Sequence, residues 1–458
     1  MLLAVLLATL QSALSQTSAQ VSPLPSASPT AAPQSWSLHA QATNLQQYHG
    51  EFAAAYSGPQ SLYSHPDTAK TVSVTLFLGA RLWKGAGLYV NPEVDQGYGL
   101  GFPNPPGAPT PYSGTFGVAG FVSGEAYKVG SASMYERVQR LFLRQTFDFG
   151  HPNEAVEPDI NQLGGTVSPN HLTLTLGKFS VTDVFDTNPY AHDPANDFMN
   201  WSVIDMASFD YAADSWGFTY GLSGELTQSQ STLRAGVFQL STVPNTIAIE
   251  PVPFLQYSPI VEFEQRTSLF GGHPGAVKAL VYGDYGFMGS YADAVAAAAG
   301  TGRPPSTASV RTARHWKLGG GLNAYQEVAP HVGVFSRLSG MNGTYEAFEF
   351  TDVDRSACAG ISIDGGLYGR PNDTIGLAGV MNTISAPAQQ YFAAGGLGIL
   401  VGDGALSYAA ERIAEAYYKV GFGQVGAITA DYQFVRNPAY NTVRGPVAIF
   451  GLRYHAQI

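Results

Sequence analysis

Several short stretches of this sequence place charged and aromatic side chains at every second position, and those stretches are where chemistry has to be sought. Around residue 140 the series is Arg140, Phe142, Arg144, Thr146, and around residue 260 it is Glu262, Glu264, Arg266. The residues between them, Leu141, Leu143 and Phe147 in the first series and Val261 and Phe263 in the second, are apolar. Successive side chains of a strand point to opposite faces, so each stretch has one polar face and one greasy face. Guanidinium and carboxylate groups fixed on one face offer donors and acceptors to a hydroxyl-rich solute, and an aromatic ring among them offers a stacking surface. By the same alternation Arg81, Glu93, Asp95, Arg234, Phe335 and Arg337 fall on polar faces, as do Lys317, Glu415 and Lys419. A plainer use of these residues, a salt-bridged lining that keeps an interior wet and a wall rigid, fits the same pattern.

Catalytic constellations are missing from the sequence. It contains no HExxH, no GxSxG elbow, no P-loop, and no GxGxxG between a strand and a helix. The glycine-dense run Gly395-Gly396-Leu397-Gly398-Ile399-Leu400-Val401-Gly402-Asp403-Gly404 lacks nucleotide-fingerprint spacing and reads as a loop at a barrel mouth or interior. The 10 His residues are scattered without metal-ligand spacing, and the single cysteine, Cys358, excludes internal disulfides and reads as a small wall residue. No catalytic residue, metal or cofactor is therefore expected. A net charge of -11 with no basic cluster argues against a nucleic-acid partner.

The elements that must position the alternating residues are strands. From Ser215 to Leu226, Trp216, Phe218, Tyr220, Leu222 and Leu226 alternate with small or polar residues, and the pattern recurs along nearly the whole chain. Only 12% of residues are charged, while Gly 52, Tyr 25 and Phe 25 suit tight turns and interfacial rings. Past the N-terminus no apolar run reaches the roughly 18 residues that a membrane-spanning helix needs, so a membrane crossing would use strands. Strands are expected from residue 36, over 71–82 and 88–95, and near 135–148, 171–180, 213–226, 231–241, 258–267, 276–286, 311–325, 331–339, 354–364, 373–382, 412–421, 426–436 and 446–458. These are sixteen, an even number as in bacterial outer-membrane barrels. The expected fold is all-β, a transmembrane antiparallel barrel. Connections 97–133, 181–212, 287–310 and 383–411 are too long for hairpins and are expected partly to fold into the pore, with a short helix over Ala292–Ala299.

Residues 1–19 read as an export signal, with cleavage after Ser15 or Ala19; the segment lacks an early Lys or Arg, which points to a start further upstream. Residues 20–35, rich in Pro and Ser, read as a flexible lead-in, leaving 36–458 as one barrel. At the other end Phe450, Leu452, Tyr454, Ala456 and Ile458 form an apolar face of the kind that barrel-assembly machinery reads. Most such barrels end in Phe or Trp, and Ile458 departs from that.

The segment Gly177-Lys178-Phe179-Ser180-Val181-Thr182-Asp183-Val184-Phe185-Asp186-Thr187-Asn188-Pro189-Tyr190-Ala191-His192-Asp193-Pro194, followed by Asp197-Phe198-Met199-Asn200-Trp201, resembles the carbohydrate-selective porins of Gram-negative outer membranes, the OprB-like group. Asn91-Pro92-Glu93-Val94-Asp95-Gln96-Gly97, Asp431-Tyr432-Gln433-Phe434 and Asn437-Pro438-Ala439-Tyr440-Asn441 resemble other segments of that family. The resemblance, over about Trp36 to Ile458, implies a sixteen-stranded barrel in outer-membrane lipid through which sugars diffuse. Asp183, Asp186, His192, Asp193 and Asp197 are then expected in a loop ordered by Asx-type turns, in a structural role or bordering the pore. A general or ion-selective porin, an outer-membrane barrel enzyme and a secreted polysaccharide-binding β-protein are the competing functions. No segment marks whether barrels stand alone or associate.

Overall fold

The computed structural model describes residues 33–101, 116–127, 130–152, 154–423 and 425–458. The expected signal and most of the lead-in lie outside these residues, as does part of the 97–133 connection. Sixteen strands close into one antiparallel barrel. They are β1 (Trp36–His49), β2 (Asp67–Trp83), β3 (Ala86–Tyr98), β4 (Ser131–Asp148), β7 (Asn170–Phe179), β8 (Thr219–Gln228), β9 (Ser231–Gln239) and β10 (Tyr257–Leu269) in the first half. The second half is β11 (His273–Phe287), β12 (Arg314–Ala329), β13 (Val332–Met341), β14 (Arg355–Asp364), β15 (Thr374–Thr383), β16 (Glu411–Gly421), β17 (Gly426–Arg436) and β18 (Val447–Gln457). β5 (Glu154–Val156) and β6 (Gly165–Val167) form a separate two-stranded sheet. β1 pairs with β18, Gln41 opposite Gln457 and His49 opposite Ile449, so the sheet has no free edge.

Alternation sets the wall. Leu38, Leu141, Leu176, Leu222, Leu322, Leu338 and Leu452 are exposed on the outer face, where a bilayer would solvate them. Trp36, Trp83 and Phe147 stand at the end with short turns, and Tyr48, Tyr432 and Phe450 cluster toward the other end, the two aromatic belts of a membrane barrel. In barrels of this kind the short turns face the periplasm and the long loops the exterior.

Of the departures from simple alternation, two shape the interior. The β3–β4 ladder slips between Asn91 and Pro92, where proline has no N–H to give. Across the resulting bulge Gln139 and Arg140, adjacent in sequence, both turn inward. The second concerns the 213–226 stretch, which is not all strand: β8 begins at Thr219, because the Asp214 carboxylate accepts the backbone N–H groups of Trp216 and Phe218 and bends the chain around Gly217 (φ 94°). Trp216 and Phe218 consequently face the interior, whereas Tyr220 and Leu222 face outward as read.

The long exterior connections fold inward and cap the barrel. Tyr291–Ala298 is a helix capped by Ser290, over most of the Ala-rich segment, and its Tyr291 packs on Tyr391 of the helix Ala386–Ala393. Gly395–Gly404 lies at this mouth, where Asp352 accepts the N–H groups of Ile399 and Leu400. Cys358 is a buried wall residue of β14.

Candidate functional site

The interior is divided by the connection between β7 and β8, residues 180–218. One side of this loop is fused to the wall of β10–β18. Asp186, fully buried and in the left-handed region (φ 57°), is its main anchor. Its carboxylate accepts hydrogen bonds from Asn323 at 2.6 Å, from the Met206 N–H at 2.5 Å and from Arg337 at 3.1 Å. Its own N–H donates to Glu262. Arg337 also donates to the carbonyls of Val203 and Ala191, at 2.7 and 2.8 Å, so one guanidinium ties down three points of the loop. Lys278 holds the Thr187 carbonyl, Glu415 accepts the Met199 N–H, and Phe335 packs edge-on against Phe198. Shorter Asx turns shape the rest, with Asn188 accepting from Tyr190 and Asp193 from Ala195.

The other side of the loop borders a cavity of about 1240 Å³, whose opposite wall is β2, β3, β4, β7 and β8. Of the residues singled out from sequence, Arg81, Arg140, Phe142, Arg144, Asp183, His192 and Asp193 line this space. Arg140 crosses from the wall to the loop and clasps Asp183 through two charge-assisted bonds of 2.7 and 2.6 Å. Its guanidinium also lies 4.9 Å from the Phe218 ring. Nearer the short-turn end, Arg81 and Arg144 flank Gly87 on neighbouring strands. Gly87 has to be small, because a β-carbon there would meet the Tyr89 ring at 2.7–2.9 Å. Tyr89 stacks on Phe142, centroids 4.9 Å apart, and Arg144 lies 5.1–5.5 Å from both rings. The lining here is thus a row of guanidinium groups beside an aromatic pair that is itself almost wholly covered, Tyr89 being 5% and Phe142 3% exposed, with Asp183 and Glu225 supplying carboxylates.

The remaining sequence-nominated residues face inward without reaching the cavity. Glu93 and Asp95 are buried in a cluster with Arg137, at 2.8 and 3.0 Å. Arg234 is enclosed by Glu225, Glu262 and Glu264 at 2.8–3.0 Å, and Arg266 bonds the Ser229 carbonyl at the short-turn end. Phe335, Arg337 and Asp186 serve the loop as described. Tyr89, Phe77, Glu225, Trp216 and Phe218 line the cavity and were not nominated. Tyr89 shares the inner face of β3 with Glu93, so parity alone could have placed it there. Unbroken alternation from Ser215 to Leu226 would put Trp216 and Phe218 on the same face as Tyr220 and Leu222, and the Asp214 turn breaks it.

His192 sits on the cavity side of the loop, 3.3 Å from Asp205. Burial favours the neutral imidazole, but the Asp205 carboxylate overrides it and holds the pKa up to about 9. Among the described residues no group of three or more His, Cys, Asp or Glu is arranged to hold a metal ion.

Comparison with known proteins agrees with this geometry. The high-pH structure of Pseudomonas putida OprB superposes with a TM-score of 0.66 at 14% identity, covering 93% of this chain and 94% of that one, which establishes a common fold. Porin AaxA of Chlamydia pneumoniae is 22% identical over 297 residues, 63% of this chain and 56% of that protein, so the chain spans a little over half the length of this relative. The model of the carbohydrate-selective porin OprB family matches residues 60–458. On that match the chain belongs to the OprB family, β-barrels of the Gram-negative outer membrane.

Proposed function

We propose that this chain is a passive channel through which mono- and disaccharides diffuse, with no catalytic step. The observation that carries the reading is the row Arg81, Arg140 and Arg144, facing Asp183 across the cavity beside the Tyr89–Phe142 pair. Guanidinium groups donate to the hydroxyls of a sugar and carboxylates accept from them, while aromatic carbon borders the apolar face of a pyranose. Passage requires such contacts to be several and individually weak, so that the solute leaves as easily as it enters. In this reading Arg81, Arg140, Phe142, Arg144, Asp183, His192 and Asp193 border the path. Glu93, Asp95, Asp186, Arg234, Glu262, Glu264, Arg266, Phe335 and Arg337 hold the wall and loop in place. Residues 1–19 act as the export signal, the apolar face of Phe450 to Ile458 is read by barrel-assembly machinery, and outer-membrane lipid solvates the exposed leucines.

Purified, folded protein in planar bilayers is expected to conduct ions and to be blocked reversibly by added sugar. Liposome swelling should be faster with a sugar than with a neutral polyol of equal size. Absence of conductance removes the channel reading, and equal swelling rates would make the pore a general one.

A further inference from the structure

The 21-residue connection from β4 to β7, residues 149–169, is out of scale on its side of the barrel, where the turns after β2, β8, β10 and β12 span two or three residues. It does not hang into the periplasmic space. β5 and β6 pair Glu154 with Val167, and a tight turn in which Asp159 and Gln162 exchange backbone hydrogen bonds puts Ile160 and Asn161 at the tip. The tip enters the barrel and lines the cavity. Asn161 takes the left-handed conformation (φ 54°), which asparagine tolerates better than most residues. Its side-chain amide pairs reciprocally with that of Asn91, fully buried on β3, at 2.8 and 3.1 Å. Its carbonyl accepts from Arg144 at 2.9 Å.

The base of the hairpin is held as firmly. Arg81 donates to the Gly164 carbonyl at 3.0 Å, and Gln34, from the chain before β1, exchanges bonds with Gly164 at 2.9 and 3.0 Å. The two arginines that flank Gly87 are therefore both capped by carbonyls of this one segment. In the β3–β4 register Asn91 lies opposite Arg140, the residue that clasps Asp183 of the exterior loop. An insert from each end of the barrel thus reaches the same level of the same wall.

We propose that the β5–β6 hairpin is a fixed periplasmic constriction of the pore, setting the largest solute that passes, and that Asn161 is the positioning residue that aims Arg144 at the aromatic pair. The proposal rests on the channel reading above. A conformationally mobile gate would not need both ends of the hairpin bonded to the wall; a fixed filter does.

The test replaces 154–167 by Gly-Ser-Gly and measures conductance in planar bilayers and swelling with a mono-, di- and trisaccharide series. Conductance should rise at least about twofold, and trisaccharide entry should rise relative to monosaccharide. Unchanged conductance and size dependence in a variant that shows the heat-modifiable mobility of a folded barrel would overturn the constriction while leaving the channel reading intact. Should that variant fail to assemble, Ile160→Cys in a Cys358→Ala background, treated with a trimethylammonium-ethyl methanethiosulfonate, supplies the second measurement. Conductance should fall by at least half on labelling; complete labelling by mass spectrometry without a change in current would overturn the proposal. For positioning, Asn161→Ala should weaken sugar block several-fold at nearly unchanged conductance, and equal block in both proteins would discard that role.

Discussion

The two flanks of the 180–218 loop use the same residue types to opposite ends. Against β10–β18 the inward charges are consumed: Arg337, Lys278, Glu262 and Glu415 each meet a backbone or side-chain group of the loop, and water is excluded. Facing β2–β8, Arg81, Arg140 and Arg144 border open space while Glu93 and Asp95 are taken up by Arg137, and among the described residues Arg144 makes one hydrogen bond, to Asn161, beside its aromatic pair. Strand parity decides that a side chain points inward. Whether it then meets solute or protein depends on where the loop lies, and the loop lies where its Asp186 finds Arg337 and Asn323.

The sharpest way to break this contrast is on the buried flank. Arg337→Ala leaves the carbonyls of Val203 and Ala191 without their donor and the Asp186 carboxylate without its cation. Removing one partner of a buried pair costs about 3–5 kcal/mol. That cost falls on the loop rather than on the sixteen-stranded ladder, which keeps its backbone bonds. The expected outcome is a barrel that still migrates as folded on unheated gels, while protease cleaves within 180–218 and channel current becomes noisy. A quiet channel with an uncut loop would show that Asp186 is held without Arg337.

How far such a contrast could be anticipated from sequence differs by residue. Barrel, strand number and the inward parity of Arg140, Arg144, Glu262 and Arg337 follow from alternation, a local property that survives without knowledge of contacts. The destination of those side chains is set by contacts between residues 151 positions apart, as with Asp186 and Arg337, and no local pattern encodes that. Alternation alone puts Trp216 and Phe218 on the wrong face, because a single turn, closed by Asp214, shifts the parity. The β5–β6 hairpin leaves a trace in the sequence, the gap between two expected strands with Pro152, Pro158 and Gly164-Gly165, but a run of turn residues says where a chain bends and not into which space.

On the open flank the effect should be smaller and confined to transport. Arg144→Ala removes a guanidinium that, among the described residues, bonds one carbonyl and lies over two aromatic rings, so assembly should be intact. A hydrogen bond to a solute hydroxyl is worth about 1 kcal/mol, roughly fivefold in affinity. Sugar block measured from current noise should weaken by about that factor, with the yield of folded barrel and heat-modifiable mobility unchanged. Identical swelling rates and block in wild type and variant would discard Arg144 as a selectivity residue and reduce the difference between the two flanks to packing alone.

The finest distinction lies within the loop, where His192 stands on the cavity side of the backbone that Arg337 grips from behind through Ala191. The imidazole has its folded pKa raised to about 9 by Asp205, above its ordinary value of 6.5. A raised pKa means that the charged form favours the folded loop, so this stabilisation is complete below about pH 6.5 and is lost as pH rises through about 9. With the imidazole 27% exposed, water screens part of the attraction, leaving on the order of 1–2 kcal/mol. Comparing His192→Gln with wild type cancels the titrating groups that do not interact with the His192–Asp205 pair. The difference in protease resistance of the loop should be largest near pH 6 and close to nil near pH 10. A difference that grows with pH would mean that the neutral imidazole is the form the folded loop prefers, and that the His192–Asp205 contact is a packing contact rather than an ion pair.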